Sequence, residues 1–229
     1  MRIRALLGGL GLILVLGSGC SHGPASPAVP KLYEVQQQVD KYLTSGGYDR
    51  DFAAVVDQAK AYLEQRAKGG GKLAIVLDID ETSLSNWTAY KLNGYARITG
   101  GECNLEKGPC GLRAWQAMAQ SPALKPTLEL DRLARSKGVE VFFISGRPAE
   151  LRDATERNLR AAGYDWNGLI IYAPGAHFDS AVDFKAGERK KLTEQGYTIV
   201  LNMGDQDSDL KGGFAERTFK LPNPVYFIP

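Results

Sequence analysis

Residues 73–82 read LAIVLDIDET, and this stretch decides how we interpret the fold. Residues 73–77 are apolar, as in a strand that is buried on both faces. Asp78 and Asp80 follow directly, and residues two apart in extended backbone point to the same side. We therefore expect both carboxylates at the carboxyl end of this strand, where they repel each other unless a cation or shared proton intervenes. A simpler reading is that Asp80 or Thr82 only begins a helix.

Further apolar stretches of strand length follow, and helical patterns lie between them. The strands are predicted at residues 139–144, 169–172 and 197–201. The helices are predicted at residues 31–43, 51–66, 127–136, 149–162 and 186–195, and the last three end near glycines. Alternating strands and helices predict an α/β fold with a Rossmann-like, mostly parallel sheet and helices on both faces.

Residues 86–126 have a different composition from the rest of the chain. They contain several glycines, two cysteines and two tryptophans, with at most one predicted helix, at residues 112–119. Because they follow the first strand, we interpret them as a small cap over a site at the carboxyl edge of the sheet, where ligands bind in parallel sheets.

Polar residues also follow or precede the other predicted strands. Ser145 begins a tight turn, SGRP, after the second strand, and the fourth strand leads into an acidic loop with Asp205 and Asp209. Lys185 lies before the fourth strand. Carboxylates, a hydroxyl, a lysine and further carboxylates in this order indicate one site with one chemistry.

This order resembles the four motifs of the haloacid-dehalogenase phosphatases: Asp-x-Asp-x-Thr, a serine after a strand, a lysine, and Gly-Asp-x-x-x-Asp. The longer strings LDIDET, FFISGRP, GDQDSDL and PNPVYFIP resemble the bacterial and plant acid phosphatases of that superfamily, the group of lipoprotein e and the plant vegetative storage proteins. The resemblance extends over essentially everything after residue 30, and it is thin through the cap.

The resemblance implies a mechanism that uses an aspartyl-phosphate on Asp78. Asp80 would protonate the departing alcohol and then accept a proton from water. Mg²⁺ would be held by the carboxylates of Asp78 and Asp205 and by the backbone carbonyl of Asp80, with Asp209 orienting the metal's surroundings. Asp207 could exchange roles with Asp209, although the family spacing favours Asp209.

Two further residues would bind the phosphoryl group. The resemblance assigns Ser145 as a hydrogen-bond donor to a phosphoryl oxygen and Lys185 as the group that neutralises developing charge. Arg189 and Lys190 are alternatives to Lys185, and Ser145 could instead only cap a helix.

The predicted function is hydrolysis of small phosphate monoesters by a Mg²⁺-dependent acid phosphatase. One alternative is a 5′-nucleotidase or phosphotransferase of narrow specificity, since aromatic side chains could stack a nucleoside base, although ordinary packing explains any one of them. The candidates are Trp87, Tyr90, Trp115, Tyr172 and Phe178. Another alternative is a non-catalytic storage or binding protein.

Histidine-based hydrolases are excluded by composition. The chain has two histidines and no Arg-His-Gly motif. His22 lies in the tether, and the chain after residue 30 contains no Gly-x-Ser-x-Gly elbow to accompany His177. We expect His177 to lie in a loop near the site.

The first residues predict export. Arg2 and Arg4 precede a short apolar run, and small residues then lead to Cys20, as in the signal peptides of bacterial lipoproteins. We predict a signal peptide at residues 1–19, lipidation at Cys20, a flexible tether at residues 20–30 and a phosphatase domain at residues 31–229. The expected location is the periplasmic face of a bacterial outer membrane; the alternative is a secreted protein cut after Ala25 or Ala28.

The cysteine count and the charge agree with this interpretation. If Cys20 of the three cysteines carries lipid, Cys103 and Cys110 remain as a pair that an oxidising compartment would let bond, the alternative being two free thiols. Without Arg2 and Arg4 the basic and acidic residues are equal, at 26 each. A neutral chain without a basic stripe argues against nucleic acid as a partner.

Overall fold

Helices and strands alternate along the computed structural model, which describes residues 29–175 and 178–228. The helices are α1 (Leu32–Thr44), α2 (Gly47–Arg66), α3 (Trp87–Leu92), α4 (Leu112–Met118), α5 (Lys125–Ser136), α6 (Arg152–Ala161), α7 (Ala181–Glu194) and α8 (Asp207–Leu210). The strands are β1 (Leu73–Leu77), β2 (Glu140–Ile144), β3 (Gly168–Ile170), β4 (Thr198–Gly204) and β5 (Arg217–Lys220). Short 3₁₀ turns, Ala67–Gly69 and Ala149–Leu151, adjoin α2 and α6.

The strands form one sheet in the order β3-β2-β1-β4-β5, and every neighbouring pair is parallel. β1 lies in the centre, with Leu77 opposite Phe143 of β2 and Met203 of β4. The carboxyl ends of these central strands therefore meet at one edge. The predicted α/β fold with a mostly parallel, Rossmann-like sheet is confirmed.

The two faces of β1 pack against different helices. Leu73, Ile75 and Leu77 belong to a large core with side chains of α2 and α5, whereas Ala74 and Val76 belong to a smaller core with residues of α7. Successive side chains of a strand point to opposite faces, so helices on both faces require the unbroken apolar run of residues 73–77. Each large aliphatic side chain buried there contributes about 1.5–3 kcal/mol.

Residues 86–126, which we call the cap segment, contain two helices, α3 and α4, where the sequence predicted at most one. The prediction was wrong at α3 because a helix of six residues is too short to show an amphipathic repeat, and tertiary packing stabilises it. Tyr90 and Trp115 pack together in a separate apolar cluster. The predicted disulfide between Cys103 and Cys110 is present in this segment.

Several boundaries differ from the predictions in ways that affect the site. Helix α7 begins at Ala181, five residues before the predicted residue 186, because the Ser180 hydroxyl accepts a hydrogen bond from the backbone N–H of Asp183. Lys185 therefore lies within the helix. Strand β4 continues to Gly204, past the predicted end at residue 201. β5 was not predicted because only Phe219 of its four residues is buried.

Some predictions fall on residues outside the described ranges. They are the signal peptide at residues 1–19, the lipidated Cys20, most of the tether and the loop position of His177. In residues 29–175 and 178–228, every helix is too short or too polar to cross a bilayer.

Candidate active site

A cavity of about 270 Å³ is lined by residues of the loops at the carboxyl edge of the sheet and by residues of the cap segment. Its acidic lining residues are Asp78 and Asp80 after β1, and Asp205 and Asp209 after β4. Lys185 of α7 also lines it. The structure therefore brings together five of the side chains that the sequence predicted, although they come from distant parts of the chain.

The loop after β1 holds Asp78 firmly at the end of the central strand. The backbone N–H of Asp78 donates to the carbonyl of Met203 at 3.0 Å, and the Ser83 hydroxyl donates to the backbone carbonyl of Asp78 at 2.7 Å. Glu81 has a φ of 53°, in the left-handed region, which lets the chain turn back within a few residues. Asp78 is consequently buried, with 6% of its surface exposed.

Three buried carboxylates, those of Asp78, Asp205 and Asp209, face one another. One oxygen of each lies within 4.8 Å of the others, and we call this group the aspartate trio. Lys185 Nζ donates to Asp78 Oδ1 at 2.6 Å and to Asp209 Oδ1 at 2.5 Å. One ammonium group faces three carboxylates, so the trio has an excess of negative charge.

The pKa values in the trio reflect this excess. Burial raises the pKa of Asp78, and the neighbouring aspartates add to the effect, while Lys185 offsets part of it. Burial and the repulsion from Asp209 raise the pKa of Asp205 to about 7. Burial alone would lower the pKa of Lys185, but Asp209 and Asp78 outweigh it and hold that pKa above its usual value. A cation among these carboxylates would relieve the repulsion, and oxygen ligands suit hard divalent cations.

The hydrogen bonds of the trio divide its members into two kinds. Both oxygens of Asp209 are engaged, Oδ1 by Lys185 and Oδ2 by the backbone N–H of Gln206. On Asp205, Gln206 and Asn223 donate to Oδ2 at 2.5 and 2.6 Å, while Thr82 approaches Oδ1 at 3.4 Å only. Asp205 Oδ1 is therefore more available to a metal than either oxygen of Asp209.

Asp80 has a different environment, because its carboxylate faces Arg147 rather than the trio. Arg147 donates to it twice, from Nη2 at 2.7 Å and from Nε at 3.1 Å. Asn86 and Gln116 add donors at 2.8 and 3.0 Å. Burial would raise the pKa of Asp80, but Arg147 and the other donors outweigh it, so that pKa lies below its usual value. The two leading aspartates thus have opposite pKa shifts.

Arg147 is a site residue that sequence reasoning missed. Its side chain is 1% exposed, and Nη1 also donates to the hydroxyl of Thr155 at 3.0 Å. The available signal was the string SGRP, in which an arginine follows a strand-end turn. Ser145 itself is 1% exposed, and its Oγ accepts a long hydrogen bond from the backbone N–H of Arg147. Gly146, Arg147 and Pro148 line the cavity in front of it.

The sequence left alternatives open for two site residues, Lys185 and Asp209, and the alternatives occupy different places in the structure. Arg189 is buried and donates to the backbone carbonyls of Asp209, Lys211 and Gly213, so it braces the acidic loop. Lys190 lies on the surface, 3.8 Å from Glu194. Asp207 is half exposed and pairs with surface lysines, whereas Asp209 is buried beside Lys185. Of these residues, only Lys185 and Asp209 line the cavity.

A second network, which the sequence did not predict, joins the β1 loop to the cap segment and to residues 222–228. Glu81 is completely buried and accepts hydrogen bonds from the backbone N–H of Asn86 and from the hydroxyl of Tyr226. Asn86 in turn accepts from Trp115 Nε1 and from the Ser121 hydroxyl, both at 3.0 Å. Three separate segments therefore depend on one buried carboxyl group.

Gly204 allows Asp209 to reach the trio, which gives a testable prediction. A Cβ at position 204 would lie 2.3 Å from Asp209 Oδ2 and 2.4 Å from Asp209 Cβ. We expect Gly204→Ala to displace Asp209, to destabilise the protein by about 1–3 kcal/mol, and to lower kcat/KM by about tenfold or more. Activity assays and thermal unfolding measure both effects.

Gly187 of α7 supplies the control, because a Cβ there meets no atom within 4 Å. Gly187→Ala should keep full activity and gain about 0.5–1 kcal/mol of stability, since alanine favours the helix. Equal behaviour of the two variants would contradict the assigned role of Gly204.

Comparisons with known proteins agree with this geometry. Residues 27–229 match the family described as HAD superfamily, subfamily IIIB (Acid phosphatase). Acid phosphatase 1 of Solanum lycopersicum is 34% identical over 198 residues, which cover 85% of this chain and 75% of that protein. Vegetative storage protein 1 of Arabidopsis thaliana is also 34% identical, over 83% of this chain and 68% of its own length.

A solved structure shows the same similarity in three dimensions. The class C acid phosphatase from Bacillus anthracis superposes with a TM-score of 0.67 at 26% identity, over 86% of this chain and 87% of that chain. The family resemblance and the enzyme class predicted from the motifs are confirmed. The chain therefore belongs to the acid phosphatases of subfamily IIIB in the haloacid-dehalogenase (HAD) superfamily.

Proposed function

We propose that this protein hydrolyses small phosphate monoesters with Asp78 as the nucleophile and Mg²⁺ as the bound cofactor. The observation that carries the proposal is the position of Asp78: its carboxylate is buried in the aspartate trio, and Lys185 Nζ lies 2.6 Å from Oδ1. Lys185 and the backbone around Asp78 hold the carboxylate in one orientation, as a nucleophile requires.

In the first step, an Asp78 oxygen forms a bond to phosphorus while the bond between phosphorus and the alcohol oxygen breaks. The protonated form of Asp80 gives its proton to the departing alcohol. In the second step, water attacks the phosphorus of the aspartyl-phosphate, Asp80 accepts a proton from that water, and the Asp78 carboxylate and inorganic phosphate are released. Arg147 favours the ionised form of Asp80, which is the form needed in this second step.

The trio fits a divalent cation, and its hydrogen bonds suggest which residues hold it. Asp78 and Asp205 would supply carboxylate oxygens and Asp80 its backbone carbonyl, whereas Asp209 would act through Lys185 and Gln206. When bound, Mg²⁺ would offset the repulsion between an anionic nucleophile and an anionic substrate and act as a Lewis acid. Lys185 would neutralise charge on the phosphoryl group, and the Ser145 hydroxyl would donate a hydrogen bond to a phosphoryl oxygen.

Removal and return of the metal test this proposal. We expect EDTA to abolish hydrolysis of p-nitrophenyl phosphate and Mg²⁺ to restore it. Mg²⁺ should also raise the Tm of the wild-type protein, because a ligand that binds only the folded state stabilises it. Asp205→Asn should weaken both responses by removing one ligand.

Asp207→Asn is the matched control, since Asp207 lies in the same loop but pairs with surface lysines. It should keep the activity and the Mg²⁺ response. A protein that remains fully active in EDTA, with an unchanged Tm in Mg²⁺, would contradict the assignment of the trio as a metal site.

The alternative function, a non-catalytic storage protein, predicts that the folded protein hydrolyses no phosphate monoester. Similarity to a vegetative storage protein alone does not favour it, because the trio, Lys185 and Asp80 are all in place around one cavity. A properly folded protein that binds Mg²⁺ but hydrolyses none of a panel of phosphomonoesters, including nucleoside monophosphates, would favour storage over catalysis.

We also propose that the enzyme acts outside the cytoplasm. The disulfide between Cys103 and Cys110 supports an oxidising compartment. Lipid attachment at Cys20 and the limits of the phosphatase domain at residues 31–229 stay predictions from the sequence. Mass spectrometry of the mature protein purified from membranes would identify its first residue and any attached lipid.

A further inference from the structure

Two arginines of the cap segment line the cavity but have no part in the proposed reaction. Arg97 and Arg113 are both exposed, whereas the acidic residues that line the same cavity lie buried or half-buried. Among the described residues, neither arginine forms an ion pair with an acidic side chain, and the Arg97 guanidinium lies over the ring of Tyr226. Two unpaired guanidinium groups therefore face the space that a substrate must enter.

The backbone holds the two arginines close together. The backbone N–H groups of Leu112 and Arg113 donate to the carbonyls of Ile98 and Thr99, at 2.8 and 3.2 Å. The backbone N–H of Gly111 donates to the carbonyl of Glu102 at 2.9 Å. Backbone hydrogen bonds therefore join the start of α4 to residues 98–102, directly after Arg97.

The junction, by which we mean residues 97–102 and 111–113, is also tightly packed. A Cβ at Gly111 would lie 2.3 Å from the carbonyl oxygen of Gly101, so the two backbones meet too closely for any larger residue. Arg97 and Thr99 both line the cavity, whereas Ile98 between them does not. The junction therefore presents two guanidinium groups and one hydroxyl to the cavity from a fixed frame.

Arg97 is oriented further by Tyr226. Its guanidinium carbon lies 5.5 Å from the centre of the Tyr226 ring, and the Tyr226 hydroxyl donates to the buried Glu81. Stacking of a guanidinium on an aromatic face leaves its N–H edge free for hydrogen bonds. Arg97 can therefore bind an anion without giving up its contact with the ring.

We propose that Arg97, Thr99 and Arg113 bind a second anionic group of the substrate, a phosphate or a carboxylate, while the reacting phosphoryl group lies at Asp78. This inference rests on the proposed function of the site. The polar partners of the Asp78 side chain and of the trio come from α7, the β1 loop, the acidic loop and Asn223, and none comes from the cap segment. A cavity of about 270 Å³ suits a compact molecule that carries both anionic groups. The preferred substrate class is thus a small phosphomonoester with a second phosphate or carboxylate.

Matched substrate pairs test the proposal on the Mg²⁺-loaded enzyme at about 0.15 M salt, where long-range attraction is largely screened. Fructose 1,6-bisphosphate is compared with fructose 6-phosphate, and 3-phosphoglycerate with glycerol 3-phosphate. The wild-type enzyme should have the higher kcat/KM for the doubly anionic member of at least one pair. The first pair reports a second phosphate and the second pair a carboxylate.

The variants are Arg97→Gln, Arg113→Gln and the double variant. Each single variant should lower the ratio of kcat/KM values within the preferred pair by about tenfold, and the double variant by up to about 100-fold, as for loss of charge-assisted hydrogen bonds. Arg157→Gln is the control, because Arg157 is exposed on α6 and lies outside the cavity. It should leave the ratio unchanged.

Two results would overturn the proposal. One is a wild-type enzyme with no preference for either doubly anionic substrate. The other is an equal loss for both members of each pair in the arginine variants, which would mean that the arginines attract any phosphate. Either result leaves the proposed function of Asp78 intact. Unchanged hydrolysis by Asp78→Asn would contradict that function instead, and the ratios of kcat/KM within each substrate pair would still report which substrates the cavity prefers.

Discussion

Asp78→Asn is expected to lower kcat/KM for p-nitrophenyl phosphate by on the order of 10⁴-fold or more, as loss of a covalent nucleophile does in other enzymes. The amide keeps the shape of the carboxylate but is a far weaker nucleophile toward phosphorus. The folded protein should not be less stable, since the substitution removes one of three mutually repelling carboxylates that share one ammonium group. We therefore expect activity to disappear while the Tm measured without Mg²⁺ stays constant or rises.

The control for this prediction is again Asp207→Asn, which changes the same residue type at an exposed position. Steady-state kinetics and thermal unfolding of the three proteins, measured with and without Mg²⁺, distinguish the outcomes. Mass spectrometry of the rapidly quenched wild-type enzyme should find phosphate on the peptide that contains Asp78 and none in the variant. Phosphate on any other residue would require a different nucleophile.

Arg147→Ala is the second change with a large expected effect. Arg147 is 1% exposed and supplies a bidentate partner to Asp80, so its removal leaves a largely buried carboxylate without its counter-charge. Breaking a buried ion pair in this way costs about 3–5 kcal/mol of stability. We also expect a large fall in kcat, because Asp80 would no longer be held toward the reacting group.

Two further variants separate charge from geometry at this position. Arg147→Lys keeps the charge but loses the planar fork, so it should recover part of the stability and little of the activity. Arg152→Gln breaks an exposed pair with Glu156 and should change the stability by less than about 1 kcal/mol. Urea unfolding of these proteins measures the stability. A fully active Arg147→Ala protein would contradict the proposal that the Arg147 guanidinium holds Asp80 toward the reacting group.

The sheet and the aspartates were predictable because they depend on local patterns. The run at residues 73–77 specifies a central strand by itself, and the aspartates that follow it must lie at the carboxyl edge once the sheet is parallel. Helix ends at Gly138, Gly163 and Gly196 were also predictable, since each of these glycines has a positive φ that favours glycine.

The remainder of the site depends on contacts between distant residues, which no local pattern specifies. Arg147 contacts Asp80 across 67 positions, and Asn223 reaches Asp205 from beyond β5. Helix α3 and strand β5 were missed for a related reason, because each is short and is stabilised mainly by its neighbours. The sequence therefore predicted which residues gather at the cavity more completely than it predicted which residues hold them in place.

The hydrogen bond between Tyr226 and Glu81 links residues 145 positions apart, and it has a consequence for the order in which the protein is synthesised and folds. A growing chain contains Asp78 and Glu81 long before it contains Tyr226. If Asp78 acts as proposed, such a chain should be inert toward phosphate esters until residue 226 has been added and has reached Glu81.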